Sequence, residues 1–239
     1  MPAALDRNRI EKAYDRWAPV YDKVFGKVFE RGRMAAIKAT ETHIGAHGGR
    51  ILEVGVGTGI SLLSYSRKNR LVGVDISAGM LRKARKRVIE HHLTNVEALA
   101  VMDAKHLAFP DTAFDAVVAQ YVITAVPDPE ATLDEFARVL KPGGEIVLVN
   151  HIGAEAGLWR AFETWFSPMA RKLGWRPEFP WARLVRWAAR VGSGPQGVHL
   201  VERRPMPLLR QFSLVRFAKA TAAARASAEG SARASRASN

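Results

Sequence analysis

The chain has 239 residues, a length that suits one α/β domain with additions and a sizeable hydrophobic core. It has no cysteine, which excludes disulfides, thiolate nucleophiles and cysteine metal sites, and no apolar run approaches the ~20 residues of a membrane-spanning helix. The net charge of +13 and the isoelectric point near 10.5 predict attraction to polyanions, either nucleic acid or an anionic membrane, although Arg-rich coding without function would give the same balance.

The first 45 residues precede the first predicted strand and are expected to form amphipathic helices broken by Pro19. Apolar and basic side chains interleave here, which is typical of a helix that lies in an anionic membrane interface. The residues concerned are Val20, Tyr21, Val24, Phe25, Val28 and Phe29, with Arg16, Lys23, Lys27, Arg31 and Arg33 between them.

Residues 51–150 alternate between strand-like and helix-like segments, which favours βαβ units and a parallel sheet. The predicted strands are Ile51–Gly55, Leu71–Asp75, Glu97–Val101, Phe114–Gln120 and Glu145–Asn150. The predicted helices are Thr58–Lys68, Ala78–His91 and Pro129–Leu140. Lys141-Pro-Gly-Gly144 predicts the turn between the last helix and the next strand.

The pattern changes beyond His151, where two helices and an antiparallel pair of strands at the sheet edge are expected. These elements are Ala156–Leu173, Trp181–Val191, Val198–Arg203 and Gln211–Phe217. An insertion at 153–196 is expected to contact substrate or membrane through aromatic and basic residues, namely Trp159, Phe162, Trp165, Phe166, Met169 and Trp175 with Arg160, Arg171, Lys172 and Arg176. Some of these side chains are expected to pack in the core. Residues 218–239 are expected to form a helix end and a disordered basic tail.

The segment Ile51-Leu-Glu-Val-Gly-Val-Gly-Thr-Gly59 joins a predicted buried strand to a glycine turn and a helix. Glycine at every second position lets the backbone approach a ligand closely, because a Cβ there would collide with it. Such a turn at the carboxyl edge of a parallel sheet predicts a nucleotide pocket, either for a dinucleotide or for S-adenosylmethionine (SAM).

Two carboxylates bear on that choice. Asp75 ends the second predicted strand, 16 residues after Gly59, and can accept hydrogen bonds from the ribose hydroxyls of either ligand. Glu53 favours SAM, because a carboxylate two residues before the first glycine can lie under an ammonium group and would repel a pyrophosphate. The spacing GxGxG also departs from the GxGxxG that is typical of dinucleotide sites.

Three further motifs follow in order: Met102-Asp103-Ala104, Leu107-Ala-Phe-Pro-Asp-Thr-Ala-Phe-Asp115 and Leu140-Lys-Pro-Gly-Gly144. With them, roughly residues 10–155 resemble the class I SAM-dependent methyltransferases. The resemblance implies an α/β, Rossmann-like fold with a seven-stranded, mostly parallel sheet, an antiparallel C-terminal hairpin and helices on both faces. It also implies that Asp103 meets the adenine amino group, with turn capping as the alternative, whereas Asp115 is expected to cap a turn.

The expected cofactor is therefore SAM, which leaves as S-adenosylhomocysteine, and no metal is expected. The candidate cofactor-binding residues are Tyr14, Glu53, Gly55, Gly57, Thr58, Gly59, Asp75, Ile76, Met102, Asp103, Ala104 and Gln120. Methyl transfer by in-line attack needs little covalent help, so the enzyme is expected mainly to align the nucleophile and exclude water.

The acceptor is suggested by two other stretches. Tyr14-Asp-Arg-Trp-Ala-Pro-Val-Tyr-Asp22 resembles the lid shared by quinone-type C-methyltransferases and bacterial phospholipid N-methyltransferases. Ile146-Val-Leu-Val-Asn-His-Ile-Gly-Ala-Glu155, followed by Trp159, resembles the Rhodobacter-type phosphatidylethanolamine N-methyltransferases. The resemblance implies stepwise methylation of phosphatidylethanolamine by a monomer bound peripherally to the cytoplasmic face of a bacterial inner membrane, with no nucleic-acid partner.

An amine must lose a proton before it attacks, and each added methyl leaves a bulkier cation that aromatic rings can accept. Tyr21 and His151 are the candidates for the proton, with core packing the alternative for Tyr14 and Tyr21 and a local hydrogen bond the alternative for His151. The candidate substrate-binding residues are Tyr121, Trp159, Arg183 and Arg186, with Arg203 a further possible phosphate ligand.

Other functions remain open at this point. A quinone-type or other small-molecule C-methyltransferase would share the lid, and an RNA methyltransferase would explain the charge, although no common RNA-binding motif is present. A non-catalytic SAM-fold protein that binds membranes or RNA is the alternative of another class, which the intact set of pocket residues disfavours.

Overall fold

The computed structural model describes residues 29–152, 179–194, 197–206, 212–221 and 223–224. Several predictions lie outside the described residues: the lid with Tyr14 and Tyr21, the helix near Ala156–Leu173 with Trp159, and most of the C-terminal tail. They remain predictions.

The described elements follow one another in the predicted alternation. The helices are α1 (Glu30–Ile44), a 3₁₀ helix (Ser61–Ser64), α2 (Ala78–Glu90), α3 (Pro129–Val139) and α4 (Trp181–Gly192). The strands are β1 (Arg50–Val54), β2 (Arg70–Asp75), β3 (Val96–Val101), β4 (Phe114–Gln120), β5 (Leu140–His151), β6 (Val198–Pro205) and β7 (Phe212–Lys219).

The strands form one seven-stranded sheet in the order β3-β2-β1-β4-β5-β7-β6. Strands β1 to β5 pair in parallel, and β7 runs antiparallel to both β5 and β6. The predicted fold class, including the reversed C-terminal hairpin, is confirmed. The strand order reverses between β1 and β4, and ligands of open α/β sheets bind at the carboxyl ends of strands beside such a reversal.

Successive residues of the central strands point to opposite faces of the sheet and are apolar on both, so helices must cover each face. Strand residues such as Ile51 and Val118 pack with Ile37 of α1, Leu62 of the 3₁₀ helix and Leu81 of α2. We call α1, residues 61–69 and α2 the first layer. On the other face, strand residues such as Leu52 and Val117 pack with Phe136 of α3 and Trp187 of α4, and we call α3 and α4 the second layer.

The predicted helix Thr58–Lys68 is wrong. Only the four residues of the 3₁₀ helix are helical, and Tyr65 after it is already extended, with φ −75° and ψ 143°. The Ser61 hydroxyl donates a hydrogen bond to Glu53 at 2.5 Å, and serines in general compete with the helix for hydrogen bonds. The hydrogen bond between Ser61 and the buried Glu53 therefore outweighs the helical pattern of this segment.

Two boundaries in the second half also differ from those predicted. Strand β5 begins at Leu140, which pairs with Phe114, and residues 141–144 bulge out before Glu145 pairs with Ala116. Strand β7 runs to Lys219, whose Nζ donates to the carbonyls of Ala137 and Leu140 at 2.6 and 2.7 Å. The chain thus stays ordered two residues beyond the predicted strand end.

Within these residues, no helix is both long and apolar enough to cross a bilayer.

Candidate active site

A pocket that opens to solvent lies at the carboxyl ends of β1, β2, β3 and β4, where the strand order reverses. Its volume is about 810 Å³ when the space at its open mouth is included. The fold brings eight of the candidate cofactor residues and one candidate acceptor residue together in its wall. These are Gly55, Gly57, Asp75, Ile76, Met102, Asp103, Ala104 and Gln120, together with Tyr121. They come from four loops that are far apart along the chain.

Asp75 organises the glycine turn. One of its carboxylate oxygens accepts from the backbone N–H of Gly57 and the other from that of Ser77, both at 2.9 Å. Ser77 is in turn the N-cap of α2, because its hydroxyl accepts from the Met80 N–H at 3.0 Å. The carboxylate therefore ties the turn to the N-terminus of α2 and still has lone pairs for ribose hydroxyls.

The three glycines of the motif differ in what they do. All three have positive φ, at 72°, 56° and 74° for Gly55, Gly57 and Gly59. A Cβ on Gly57 would meet nothing within 4 Å, so the backbone there is bare toward the pocket. A Cβ on Gly59 would lie 3.0 Å from the Ala84 Cβ, and this residue does not line the pocket. Gly59 permits close packing of α2.

Glu53 lies behind the pocket wall, on the side of the first layer. It is 3% exposed, and its Oε1 accepts from Ser61 while its Oε2 and the buried Tyr65 hydroxyl lack a hydrogen bond of normal geometry within the described residues. Burial raises the pKa of Glu53 to about 7, and the Ser61 and Tyr65 hydroxyls and the charge of Arg33 act in the opposite direction. The site thus contains a buried carboxyl that a nearby cation would ionise.

The remaining polar walls suit a nucleoside. Both amide atoms of Gln120 are buried at the pocket and, although the Tyr65 hydroxyl lies close, make no hydrogen bond of normal geometry among the residues described. Asp103 accepts the Lys105 N–H at 3.0 Å through one carboxylate oxygen, so the turn-capping role weighed for it is also present. The orphaned amide, the bare Gly57 backbone and the Asp75 carboxylate together fit SAM, with apolar residues between them.

An aromatic cluster adjoins this pocket and brings together Tyr121, a candidate for binding the substrate, and His151, a candidate for accepting its proton. The Tyr121 ring stacks on Phe29 at 4.1 Å and packs edge-on against Phe212 at 5.6 Å, and the His151 ring packs edge-on against the same Phe212 at 5.3 Å. The Tyr121 hydroxyl donates to the Phe29 carbonyl at 3.2 Å. With φ of 64°, Tyr121 has an unusual backbone for a non-glycine residue, a form of strain that often marks functional sites.

The two candidate arginines are not in this pocket. Arg183 lies on α4 in the second layer, where its guanidinium forms a two-point ion pair with Glu130 and lies 5.3 Å from the Phe179 ring centre. Arg186 is exposed on the same helix. Arg203 on β6 stacks its guanidinium over Trp181 at 4.4 Å. None of them lines the pocket of Asp75 and Tyr121.

The sequence interpretation missed several residues of the site. Apolar positions complete the pocket wall, namely Val54, Val74, Met80, Val122, Ala125, Val126 and Pro127, and Phe212 completes the aromatic cluster. The membrane-contact role predicted for Phe29 is wrong, because its ring is 4% exposed and stacks on Tyr121. Val54 and Val74 carried a usable signal, since each ends a strand beside a recognised site residue. Phe212 carried none, because only the antiparallel return of β7 beside β5 places it next to His151.

The sheet order, the glycine turn and the carboxylates at successive strand ends together define a nucleoside pocket of the methyltransferase type. A family model described as a methyltransferase domain matches residues 52–148. The phosphatidylethanolamine N-methyltransferase of Cereibacter sphaeroides is 40% identical over 213 residues, covering 89% of this chain and 98% of that protein.

Two other proteins are more distant. A ubiquinone/menaquinone biosynthesis C-methyltransferase of Geobacter sulfurreducens is 31% identical, over 66% of this chain and 64% of that protein. The solved structure of Haemonchus contortus phosphoethanolamine N-methyltransferase 2 superposes with a TM-score of 0.68 at 18% identity, covering 92% of this chain and 61% of that one, and this likeness concerns the fold alone. The chain belongs to the class I SAM-dependent methyltransferases, in the family that includes the Cereibacter protein.

Proposed function

We propose that this SAM-dependent methyltransferase methylates the amine of phosphatidylethanolamine and of its mono- and dimethyl forms, toward phosphatidylcholine. The observation that carries the proposal is the 40% identity to the Cereibacter sphaeroides enzyme, which spans 98% of that protein. The matched region extends well beyond the common methyltransferase core at residues 52–148. The likeness therefore extends to the flanks of the shared core, which matters because the fold alone does not set the acceptor.

The pocket residues are assigned to cofactor binding in this proposal. Asp75 accepts from the ribose hydroxyls, Asp103 with Met102, Ala104 and Ile76 holds the adenine, and the Gly55–Gly57 backbone lies along the ligand. Gln120 in the wall and Glu53 behind it are assigned to the amino-acid end, where the Glu53 carboxylate compensates the ammonium charge. When bound, SAM supplies an electrophilic methyl group on a sulfonium. Thr58, Gly59 and Tyr14 complete the set, with Gly59 acting through packing.

The aromatic cluster is proposed to receive the acceptor amine. Tyr121 contributes an aromatic side chain to the pocket wall, which suits a cation that grows with each methyl. Each transfer would form a nitrogen–carbon bond as the bond between the methyl carbon and the sulfonium sulfur breaks. The first two transfers leave a proton on the new ammonium, which must be lost before the next transfer, whereas the third leaves a quaternary ammonium without one. His151, two rings away through Phe212, is the proposed acceptor of this proton, with Tyr21 of the lid as a second.

The surroundings of the site are assigned by the same proposal. Residues 1–45 act as lid and membrane contact, 46–217 form the catalytic domain, with 153–196 including Trp159 facing the lipid, and 218–239 form a basic tail. Arg183 and Arg186 receive no substrate role, because both lie on α4 outside the pocket and Arg183 is held by Glu130. The enzyme would act as a monomer on the cytoplasmic membrane face.

A quinone-type C-methyltransferase is the second candidate, and the Geobacter relative at 31% identity supports it. That match covers 66% of this chain, whereas the match to the Cereibacter enzyme covers 89%. The second candidate would also have no need for the cation-accepting ring of Tyr121.

The deciding experiment incubates the full chain with methyl-labelled SAM and liposomes that contain phosphatidylethanolamine, and separates the lipid products. We expect label in the mono-, di- or trimethylated lipid, and none with Asp75→Ala, which should also lose SAM binding in a titration. Label that enters a demethylated quinone precursor or RNA and not the lipid would overturn the proposal.

A second variant tests the proton acceptor. His151→Gln keeps a polar side chain of similar size but cannot be protonated, so we expect a fall in kcat and loss of the acidic limb of the pH profile at an unchanged Kd for SAM. An unchanged kcat would return His151 to a purely structural role.

A further inference from the structure

The two helical layers differ sharply in charge. The first layer (α1, residues 61–69 and α2) carries ten lysines and arginines and three acidic residues, whereas α3 and α4 of the second layer carry four and three. The protein's positive charge is thus concentrated, among these helices, on one side of the sheet.

The acidic residues of the second layer are all neutralised by neighbouring arginines. Glu130 pairs with Arg183, Asp134 pairs with Arg190 at 2.7 Å, and Glu135 pairs with Arg138 at 2.7 Å. In the first layer, by contrast, the exposed side chains of Lys38, Arg82 and Arg85 form no ion pair within the described residues. Their charge is directed to solvent.

Apolar side chains lie exposed among these cations. Ile89 of α2 is 67% exposed, Met34 of α1 is 45% exposed and Leu63 of the 3₁₀ helix is 41% exposed. On α2, Arg82, Arg85 and Ile89 are three and four residues apart, and on α1 Met34 and Lys38 are four apart, so each set lies on one side of its helix. We call the surface formed by Met34, Lys38, Leu63, Arg82, Arg85 and Ile89 the basic face.

This face adjoins the proposed reaction site. The residue before α1 is Phe29, which stacks on Tyr121 in the pocket wall, and the N-cap of α2 is Ser77, whose backbone N–H donates to Asp75. Both helices that carry the basic face therefore begin at the pocket and run away from it. A surface bound along them would reach the mouth of the site.

We propose that the basic face docks directly on an anionic phospholipid bilayer and so holds the pocket mouth at the lipid surface. This inference rests on the proposed function and adds a contact on the body of the enzyme to those assigned to the lid and to residues 153–196. Charge complementarity favours a polyanion, and the exposed Ile89, Met34 and Leu63 favour a bilayer, whose interface accepts apolar side chains beside bound cations. Phosphates of a nucleic acid would leave those side chains without a partner.

The test measures co-sedimentation of the full chain with vesicles of phosphatidylethanolamine and phosphatidylglycerol. Arg82→Gln/Arg85→Gln removes two exposed charges from α2, and glutamine favours the helix about as well as arginine does. Each basic residue near an anionic surface contributes to the free energy of membrane binding, so we expect the double variant to lower vesicle binding roughly 10- to 30-fold. The matched control is Arg70→Gln/Arg204→Gln, which removes the same charge from exposed residues of β2 and β6 and should change binding less than about 3-fold.

An apolar pair completes the test. Ile89→Ser removes an exposed apolar group from the basic face, and Val201→Ser removes one that is 46% exposed on β6. We expect Ile89→Ser to weaken vesicle binding several-fold and Val201→Ser to leave it unchanged. Circular dichroism and thermal melts of all four variants should match the unaltered chain, because the altered side chains are exposed.

Activity separates this inference from the proposed function. On a short-chain phosphatidylethanolamine dispersed as monomers, the Arg82→Gln/Arg85→Gln variant should match the unaltered enzyme, while its activity on vesicles should fall with its binding. Equal vesicle binding by this variant and its control would overturn the docking face, as would loss of RNA binding without loss of vesicle binding. Absence of lipid methylation by the unaltered enzyme would instead overturn the proposed function.

Discussion

The two helical layers cover the same sheet, yet they use charged residues in different ways. In the second layer, three acidic residues pair with three arginines and hold together α3, α4 and the loop before β4 that contains Asp111. Trp187 is buried beneath these ion pairs. In the first layer, the buried Ser61 hydroxyl donates toward the site, to Glu53, while the exposed Lys38, Arg82 and Arg85 form no ion pair among the residues described. The second layer therefore mainly stabilises the fold, and the first links the pocket to its surroundings.

The largest expected effect concerns stability alone. Trp187 is 2% exposed, packs edge-on against Phe217 at 5.1 Å and donates its ring N–H to Asp134 at 2.8 Å. Trp187→Ala should lower the free energy of unfolding by about 3–5 kcal/mol, measured by denaturant titration, because a large cavity opens in the core. The folded variant should keep its Kd for SAM. Val185→Ala, on the exposed side of α4, is the control. A changed Kd for SAM in Trp187→Ala would contradict the claim that the second layer mainly stabilises the fold.

A smaller change in the first layer should affect both stability and function. A Cβ at Gly32 would overlap the Tyr121 hydroxyl and lie 2.9 Å from a Val149 methyl, so Gly32→Ala forces α1 away from the aromatic cluster. We expect a loss of about 1–3 kcal/mol in unfolding free energy and lower turnover of the acceptor. Thr42→Ala, on the exposed side of α1, should be close to neutral.

A double-mutant cycle sharpens that assignment. Tyr121→Phe removes the hydroxyl that the new methyl would meet, so Gly32→Ala/Tyr121→Phe should recover part of the stability lost in Gly32→Ala. Strictly additive effects would mean that the two residues are not coupled in this way.

The third prediction concerns Glu53, whose pKa burial raises to about 7. A bound ammonium favours the carboxylate, so SAM binding should release a proton below that pKa, and affinity should rise with pH by at most ~10-fold per unit up to about pH 7 and then level off. Titrations from pH 5.5 to 8 test this, and Glu53→Gln should abolish the dependence. The free protein should show the opposite trend in stability, which falls as pH rises from the ordinary carboxyl range toward 7, because the folded form binds the proton more tightly.

The smallest effect is expected for an ion pair of the second layer. Glu130 is partly exposed, and Arg183 lowers the pKa of its carboxyl. Glu130→Gln should cost about 0–1 kcal/mol at pH 7, as for other solvent-screened pairs. The difference in unfolding free energy between this variant and the unaltered protein should disappear as pH falls through the lowered pKa of Glu130. Below that pKa the carboxyl is protonated in both the folded and the unfolded protein. Vesicle binding that drops as much as in the basic-face variant would contradict the division of charge between the layers.

Local patterns in the sequence determined much of this protein. Alternating apolar segments predicted five parallel strands, and the glycine turn with Asp75 and Asp103 predicted the SAM pocket whose wall these residues form. Such signals are readable because each depends on residues that are close along the chain: strand, turn and helix start lie within one βαβ unit.

Other features were decided only by the tertiary structure, because they depend on which distant segments pack together. The pattern of Thr58–Lys68 is helical, yet the buried Glu53 claims Ser61 and leaves a single short turn. Phe212 reaches His151 only through the antiparallel pairing of β7 with β5, and Arg183 is held by Glu130, 53 residues away. The concentration of cations in one helical layer likewise emerges only when helices that are distant in sequence share one side of the sheet.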